Sequence, residues 1–423
     1  VSLPADTDQR LAPAAGVRQA WEMRHAVQVE LIKTLLAHLD AGTNVDAGGL
    51  RLNETATYTD PAQADREWDE WFVGLPQLLG MSGDLPENGS FLTNNEFGIP
   101  ILATRDQSGN FRAFVNACRH RGAIVESEAR GTKRRFTCPF HSWSYDPGGA
   151  LVGLPKPEHF GEVDKECLGL RELAAEERHG LLFVHPDPGG EIDLDWLLGD
   201  WFNDEFSTWG FDELECLTAD EYETACNWKL AMDTFGETYH FTSLHANTLA
   251  NNFHGNVQCY DEDGHLHRMI LCKKAIDEMR RLPETEWDIT VAGLPVYWLF
   301  PNVILMPFEV GVFLVRVIPD RNDPGRHVSK IDFYLHRDKL DQAAADMGVA
   351  DLTEMAANIA TNFSEIIRDE DYVMSSSQQT SANGAALDQI VFGRNEPALH
   401  HYHNTYRRML GLEVSPLIDS IKA

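Results

Sequence analysis

The sequence predicts an α+β protein of two domains, on three observations. Its 423 residues exceed what one ordinary core accommodates. Short β-like runs cluster from about residue 88 to about residue 186. Beyond them, apolar strands at 296–318 and 328–336 precede a long helical pattern, an order that differs from the alternation of a parallel βαβ array. The composition, 43% hydrophobic and 24% charged, is that of a folded chain.

Taken in order, about the first 40 residues read as helix, with Val17, Ala20, Trp21, Val27, Leu31, Leu35 and Leu36 recurring on one face. The run DAGTNVDAGG breaks that pattern. The runs FLTNNEFGIPILATRD and FRAFVN alternate as strands, and Ser108-Gly109-Asn110 between them signals a hairpin. After HPDPGG at 185–190 a helix is expected around 226–243. A long helix is expected from Leu352 to about Gln379, carrying Met355, Ile359, Phe363 and Ile366.

Charge narrows the function. With 35 basic and 66 acidic side chains the net charge is -31, which repels nucleic acid and anionic lipid. The stretch Val296–Ile318 is long enough to cross a membrane, but Pro301, Asn302, Pro307, Glu309 and Arg316 make it two strands joined by a turn. VSLPADTDQR shows no basic region followed by an apolar core, so a cytoplasmic chain without a signal peptide is expected. Seven scattered cysteines, an odd number, do not form a secreted disulfide framework and suit a reducing compartment.

The first chemical constellation is CRHRGAIVESEARGTKRRFTCPFHSW: C-x-H, 17 intervening residues, then C-x-x-H. Gly122, Gly131 and Pro139 permit tight turns in hairpin-like loops. Cys118 and Cys138 supply two soft thiolates for one iron, and His120 and His141 two neutral imidazoles for the other, the ligation of a Rieske [2Fe–2S] cluster. The competing reading is a structural zinc site, although zinc pairs usually begin C-x(2–4)-C. Rieske proteins of respiratory complexes staple these loops with a disulfide, whereas the corresponding positions here are Ala123 and Phe140. That predicts a low-potential cluster of the ferredoxin-fed kind.

A cluster needs an electron acceptor, and NWKLAMDTFGETYHFTSLH places Glu237, His240 and His245 within nine residues. Glu237 and His240 share a helical face, while His240 and His245 diverge on an ideal helix, so the helix must end or distort between them. A 2-His-1-carboxylate set needs one more oxygen, for which Asp371 is the leading candidate, with Asp369 and Glu370 as competitors. Singly, each acidic residue reads as a solvated face and each histidine as ordinary polar surface or core.

From Trp68 to about His403 the chain resembles the α subunits of Rieske ring-hydroxylating oxygenases. The resemblance rests on Asn227-Trp228-Lys229, the D/E-x-x-H-x(4)-H core, the E-D-x(7)-Q pattern of Glu370, Asp371 and Gln379, and the late HHYH. It implies an N-terminal Rieske domain and a C-terminal helix-grip (START/Bet v1-like) domain with a large antiparallel sheet. The corresponding division is a helical segment at 1–50 packing on the catalytic domain, a Rieske domain at 51–186, and a catalytic domain at 187–423. It further implies mononuclear Fe(II) on His240, His245 and Asp371, and a homotrimer in which Glu237 carries electrons between subunits with His141 as its Rieske-side partner. Two departures stand out. Glu237 occupies a position where ring dioxygenases usually have Asp and relatives acting on alkylamines have Glu, and Thr234 stands where Asn is common.

The resemblance implies an enzyme that uses O2 and NAD(P)H-derived electrons, delivered by a partner reductase with or without a ferredoxin, to cis-dihydroxylate a small aromatic substrate. A β subunit is possible in such assemblies. The alternatives are a Rieske monooxygenase or demethylase acting on an alkylamine, and an electron-transfer protein with an inactive second site. Phe235, Phe241, Leu244, Phe253, Tyr297, Trp298 and Phe300 are the apolar candidates for substrate-pocket walls, although aromatics in strands are commonly core. His400, His401 and His403 are expected to support the pocket or metal shell, and Cys167, Cys216, Cys226, Cys259 and Cys272 to be small buried hydrophobes.

Overall fold

The computed structural model describes residues 23–421. The described residues form two compact units, one of residues 67–196 with 210–215 and the other of 23–66, 197–209 and 216–421. This division falls at 66/67 rather than the expected 50/51, because strand Arg51–Glu54 pairs with Gln389–Phe392, deep in the C-terminal half. The expected N-terminal helix is present as His25–Ala41, burying Leu31, Ile32 and Leu35; Val17, Ala20 and Trp21 lie outside the described residues. Gly42 ends it in the left-handed region at φ 61°, where its N–H reaches the His38 and Leu39 carbonyls.

The smaller unit is built from short antiparallel strands. Five of them align in the order Glu172–Leu173, Phe111–Val115, Ile101–Arg105, Ser90–Asn94 and Arg130–Thr132. The expected hairpin joins the third and second, and Asp106 Oδ1 closes its turn by accepting the Ser108 and Asn110 N–H groups. A separate sheet of Phe136–Thr137, Ser144–Tyr145 and Leu151–Gly153 carries the second cysteine loop. Phe91, Leu102, Phe114, Phe136, Trp143 and Tyr145 form the core between them.

The larger unit centres on a seven-stranded sheet. Its strands from Phe253–Asp263 through His327–Leu335 follow one another as an antiparallel meander. The stretch 296–318 contains parts of three strands rather than two: Gly293–Leu299, Val303–Pro307 and Gly311–Pro319, with Pro301 in the first turn and Pro307 ending the middle strand. Side chains alternate across the sheet. Tyr297 therefore faces Trp209, Phe202 and Phe206, while Trp298 faces His267, Tyr402 and Tyr406.

The late helical pattern is continuous but has a defect. Helix Thr353–Ile366 passes through a π-helical turn, Ile367–Asp371, into helix Tyr372–Asn383. Its buried face is not the one predicted: Met355 and Ile359 are 37% and 59% exposed, whereas Ala356, Ala360, Ser364 and Ile367 are buried. Toward the sheet, the Phe363 ring packs 4.6 Å from that of Phe313.

Candidate functional site

Two loops of the smaller unit repeat one backbone pattern. The Cys118 N–H donates to Ala123 O and the Gly122 N–H to Cys118 O; the Cys138 N–H donates to Trp143 O and the Ser142 N–H to Cys138 O. Gly122 and Ser142 close the two turns at φ 73° and 63°. Only glycine adopts that conformation without steric cost, so Ser142 is held in it by the loop. Cys118 and Cys138 lie inside the core, while His120 and His141 face outward with their Nδ1 atoms 3.1 Å apart. The Tyr145 hydroxyl meets Cys118 Sγ at 3.4 Å and accepts the Arg119 N–H at 3.0 Å.

This asymmetry fits a two-iron cluster with thiolates on the buried side and imidazoles on the exposed side. Slight desolvation by its loop, then His120 and Arg121, lower the His141 pKa and so favour the neutral imidazole, the form that binds metal. All seven cysteines are free, so no disulfide staples the loops at Ala123 and Phe140. Phe140 is instead 54% exposed under the Arg121 guanidinium, 4.8 Å from its ring centre.

In the larger unit the expected helix at 226–243 is shorter. It runs only from Trp228 to Asp233, and a 3-10 turn follows at Tyr239–Thr242. Two features explain the break. Gly236 is pressed so closely to the last helix that a Cβ there would meet Leu399 Cδ2 at 2.5 Å and Tyr402 Cε2 at 2.9 Å. Glu237 then folds over the new turn, accepting the Tyr239 and His240 N–H groups and bonding His240 Nδ1. The helix is anchored at its start as well: Asn227 Oδ1 caps the Lys229 N–H, and the Asn227 N–H donates to Gln379 Oε1 at 2.8 Å. Gln379 thereby ties this segment to the helix that follows Asp371.

The break lets both imidazoles converge. His240 Nε2 and His245 Nε2 are 3.1 Å apart, and each lies 3.4 Å from Asp371 Oδ1. Donors bonded at right angles to one small cation at about 2.1 Å would be about 3 Å apart, so the triangle fits a single metal ion. Asp371 and His245 are almost fully buried. Burial opposes a charged imidazole at His240, but Asp371 and Glu237 outweigh it and raise its pKa to about 9. Burial likewise opposes charge on Asp371, but His240 and His245 hold its pKa low. The triangle thus favours positive charge at its centre.

Among the described residues, no other set of three His, Cys, Asp or Glu donors lies within 4.8 Å of one another. Asp369 turns away and pairs with Arg368, and Glu370 bonds His245 Nδ1 rather than joining the triangle.

The apolar candidates separate. Phe241 packs 5.0 Å from His240 and 5.3 Å from His245, with Phe253 against it at 5.7 Å, and Phe235 and Leu244 are half-buried nearby in sequence. Tyr297 instead bonds Glu205 and Trp209 on the opposite sheet face, and Trp298 and Phe300 pack on helix Pro397–Met409, so these three are core. A cleft of about 360 Å³ opens beside the triangle, lined by Tyr58, Asp233, Glu237, His240, Phe392 and Glu396 among others, and by none of the seven. Sequence reasoning missed Asp233, which sits in a buried network with Tyr58 and His403.

Residues 76–168 match the Rieske [2Fe-2S] domain, and residues 211–412 match the ring hydroxylating alpha subunit (catalytic domain). The chain is 33% identical over 192 residues to biphenyl 2,3-dioxygenase subunit alpha of Rhodococcus jostii (strain RHA1), which covers 43% of this chain and 41% of that one. The chain thus spans about two fifths of that relative's length. It is 25% identical over 358 residues to the chloroplastic choline monooxygenase of Beta vulgaris, covering 82% and 74%. The quaternary ammonium Rieske monooxygenase CntA in complex with L-carnitine shares the fold, with a TM-score of 0.70 at 18% identity over 86% of this chain and 96% of that one.

Proposed function

We propose that this chain, which belongs to the α subunits of the Rieske ring-hydroxylating oxygenases, is the terminal oxygenase of a multicomponent system that hydroxylates a small organic substrate. The donor triangle of His240, His245 and Asp371, on the same chain as the two cysteine–histidine loops, carries this reading. When bound, the cluster supplies single electrons and the mononuclear iron supplies O2 activation.

The residues divide the work. Cys118 and Cys138 would hold one iron of the cluster in the dry core, and His120 and His141 would hold the other at the surface. His240, His245 and Asp371 would hold the mononuclear iron, with Phe241 and Phe253 excluding water on one side. Glu237 connects His240 to the cleft and is the residue across which a neighbouring copy's tip, bearing His141, hands over electrons. A homotrimer, an NAD(P)H-dependent reductase with or without a ferredoxin, and a β subunit in some assemblies belong to this reading. No helix among the described residues is long and apolar enough to cross a membrane. A cytoplasmic location suits seven free cysteines.

Cis-dihydroxylation of an aromatic is the leading reaction, in line with the biphenyl dioxygenase relative. Glu237 favours a second reading, monooxygenation or demethylation of an alkylamine, in line with the choline monooxygenase relative. Substrate-stimulated O2 uptake with a reductase, across aromatics and alkylamines, tests both: a cis-diol supports the first, and a hydroxylated or aldehyde amine product, or formaldehyde where an N-methyl group is lost, supports the second. A protein that keeps its cluster but takes up no further iron on reconstitution would instead be an electron carrier.

A further inference from the structure

The second imidazole of the donor triangle is gripped from outside it. His245 Nδ1 lies 2.7 Å from Glu370 Oε2, which also accepts the Thr248 hydroxyl at 3.0 Å. Thr248 belongs to the same turn as His245, since its N–H donates to His245 O at 3.0 Å. Glu370 belongs to the π-helical turn Ile367–Asp371, and its chain neighbour Asp371 faces the other ring nitrogen, Nε2. Two consecutive carboxylates thus meet the two nitrogens of one ring. Those nitrogens point away from each other, so the Glu370 carboxylate is directed away from the triangle.

We propose that Glu370, locked by Thr248, is a positioning residue for His245, an inference that rests on the iron site proposed above. By accepting the Nδ1–H it leaves the Nε2 lone pair free for a metal, fixes the rotation of the ring and strengthens it as a donor. Glu237 grips His240 in the same way but also lines the cleft, where it is open to a partner; Glu370 does not line that cleft. The Thr248–Glu370–His245 contacts also join the two segments of the triangle, the histidine turn and the π-helical turn, directly to each other.

The test is iron retention rather than turnover. Purified protein with its cluster intact is loaded with Fe(II), and release to the ferrous chelator ferrozine is followed for the wild type, Glu370→Ala, Glu370→Gln and Thr248→Val. Glu370→Ala releases mononuclear iron about 10–100-fold faster than the wild type. Glu370→Gln keeps an acceptor oxygen and recovers most of the retention, and Thr248→Val is intermediate. Retention by Glu370→Ala equal to the wild type overturns the inference and leaves the iron site standing, whereas a wild type that takes up no iron overturns both. Should Glu370→Ala melt below the assay temperature, Thr248→Val decides alone, and release no faster than the wild type counts against the inference.

Discussion

His403 Nε2 donates to Asp233 Oδ1 at 2.8 Å, and the Tyr58 hydroxyl donates to the other oxygen of the same carboxylate at 2.7 Å. Asn53 Nδ2 lies 3.1 Å from Tyr58 Oη and 3.2 Å from His403 Nδ1. The last residue of helix Trp228–Asp233 is thereby tied to the N-terminal strand and to the last helix. The turn bearing Glu237 starts from a fixed point.

His403→Ala removes one partner from a carboxylate that has little access to water. A loss of about 1–3 kcal/mol in stability is expected. Chemical denaturation measures it, and an unchanged midpoint would show that the network is slack.

His141→Ala removes one outward donor while leaving the Cys138–Trp143 and Ser142–Cys138 backbone bonds of its loop in place. The Rieske electron paramagnetic resonance signal should disappear although the chain stays folded. Persistence of the signal would exclude His141 as a ligand.

Glu237→Gln keeps the side chain's size and an acceptor oxygen for the Tyr239 and His240 N–H groups but removes its charge. Both metal sites should fill as in the wild type, and turnover should drop by at least about tenfold. Full turnover would mean that electrons take another route.

Acidification should destabilise the larger unit through His327, a buried imidazole whose Nδ1 lies 2.8 Å from Cys226 O. Burial lowers its pKa from 6.5 to about 4. Between those values the unfolded chain binds the additional proton, so this contribution to stability is complete above about pH 6.5 and is lost as pH falls toward 4. The loss amounts to about 3 kcal/mol by pH 4. His327→Gln should flatten the stability profile over this window, and an unchanged slope would assign it to other groups.

Gly236→Ala places a methyl group against Leu399 and Tyr402 with no room to receive it. A cost of about 1–3 kcal/mol and weaker iron retention are expected, because the turn that delivers His240 must shift. Iron content after gel filtration and thermal unfolding together check this, and a variant equal to the wild type in both would show that the break in the helix has another cause.

Local features were legible in the sequence: which donors the chain offers, that one unbroken helix could not bring His240 and His245 to the same metal, that strands precede long helices, and that Ser108-Gly109-Asn110 turns a hairpin. Each of these rests on residues close together in the chain, where spacing and turn chemistry leave few alternatives. Only the tertiary structure decided which carboxylate meets which ring nitrogen. Glu370 and Asp371 are neighbours in sequence, yet they take opposite ends of His245 because a π-helical turn aims them there. The tertiary structure likewise turned Met355 and Ile359 outward, sent Tyr297 and Trp298 to opposite faces of the sheet, and paired Arg51–Glu54 with Gln389–Phe392. Those outcomes depend on which distant surfaces pack together, and periodicity along one segment holds no record of the segment that will cover it.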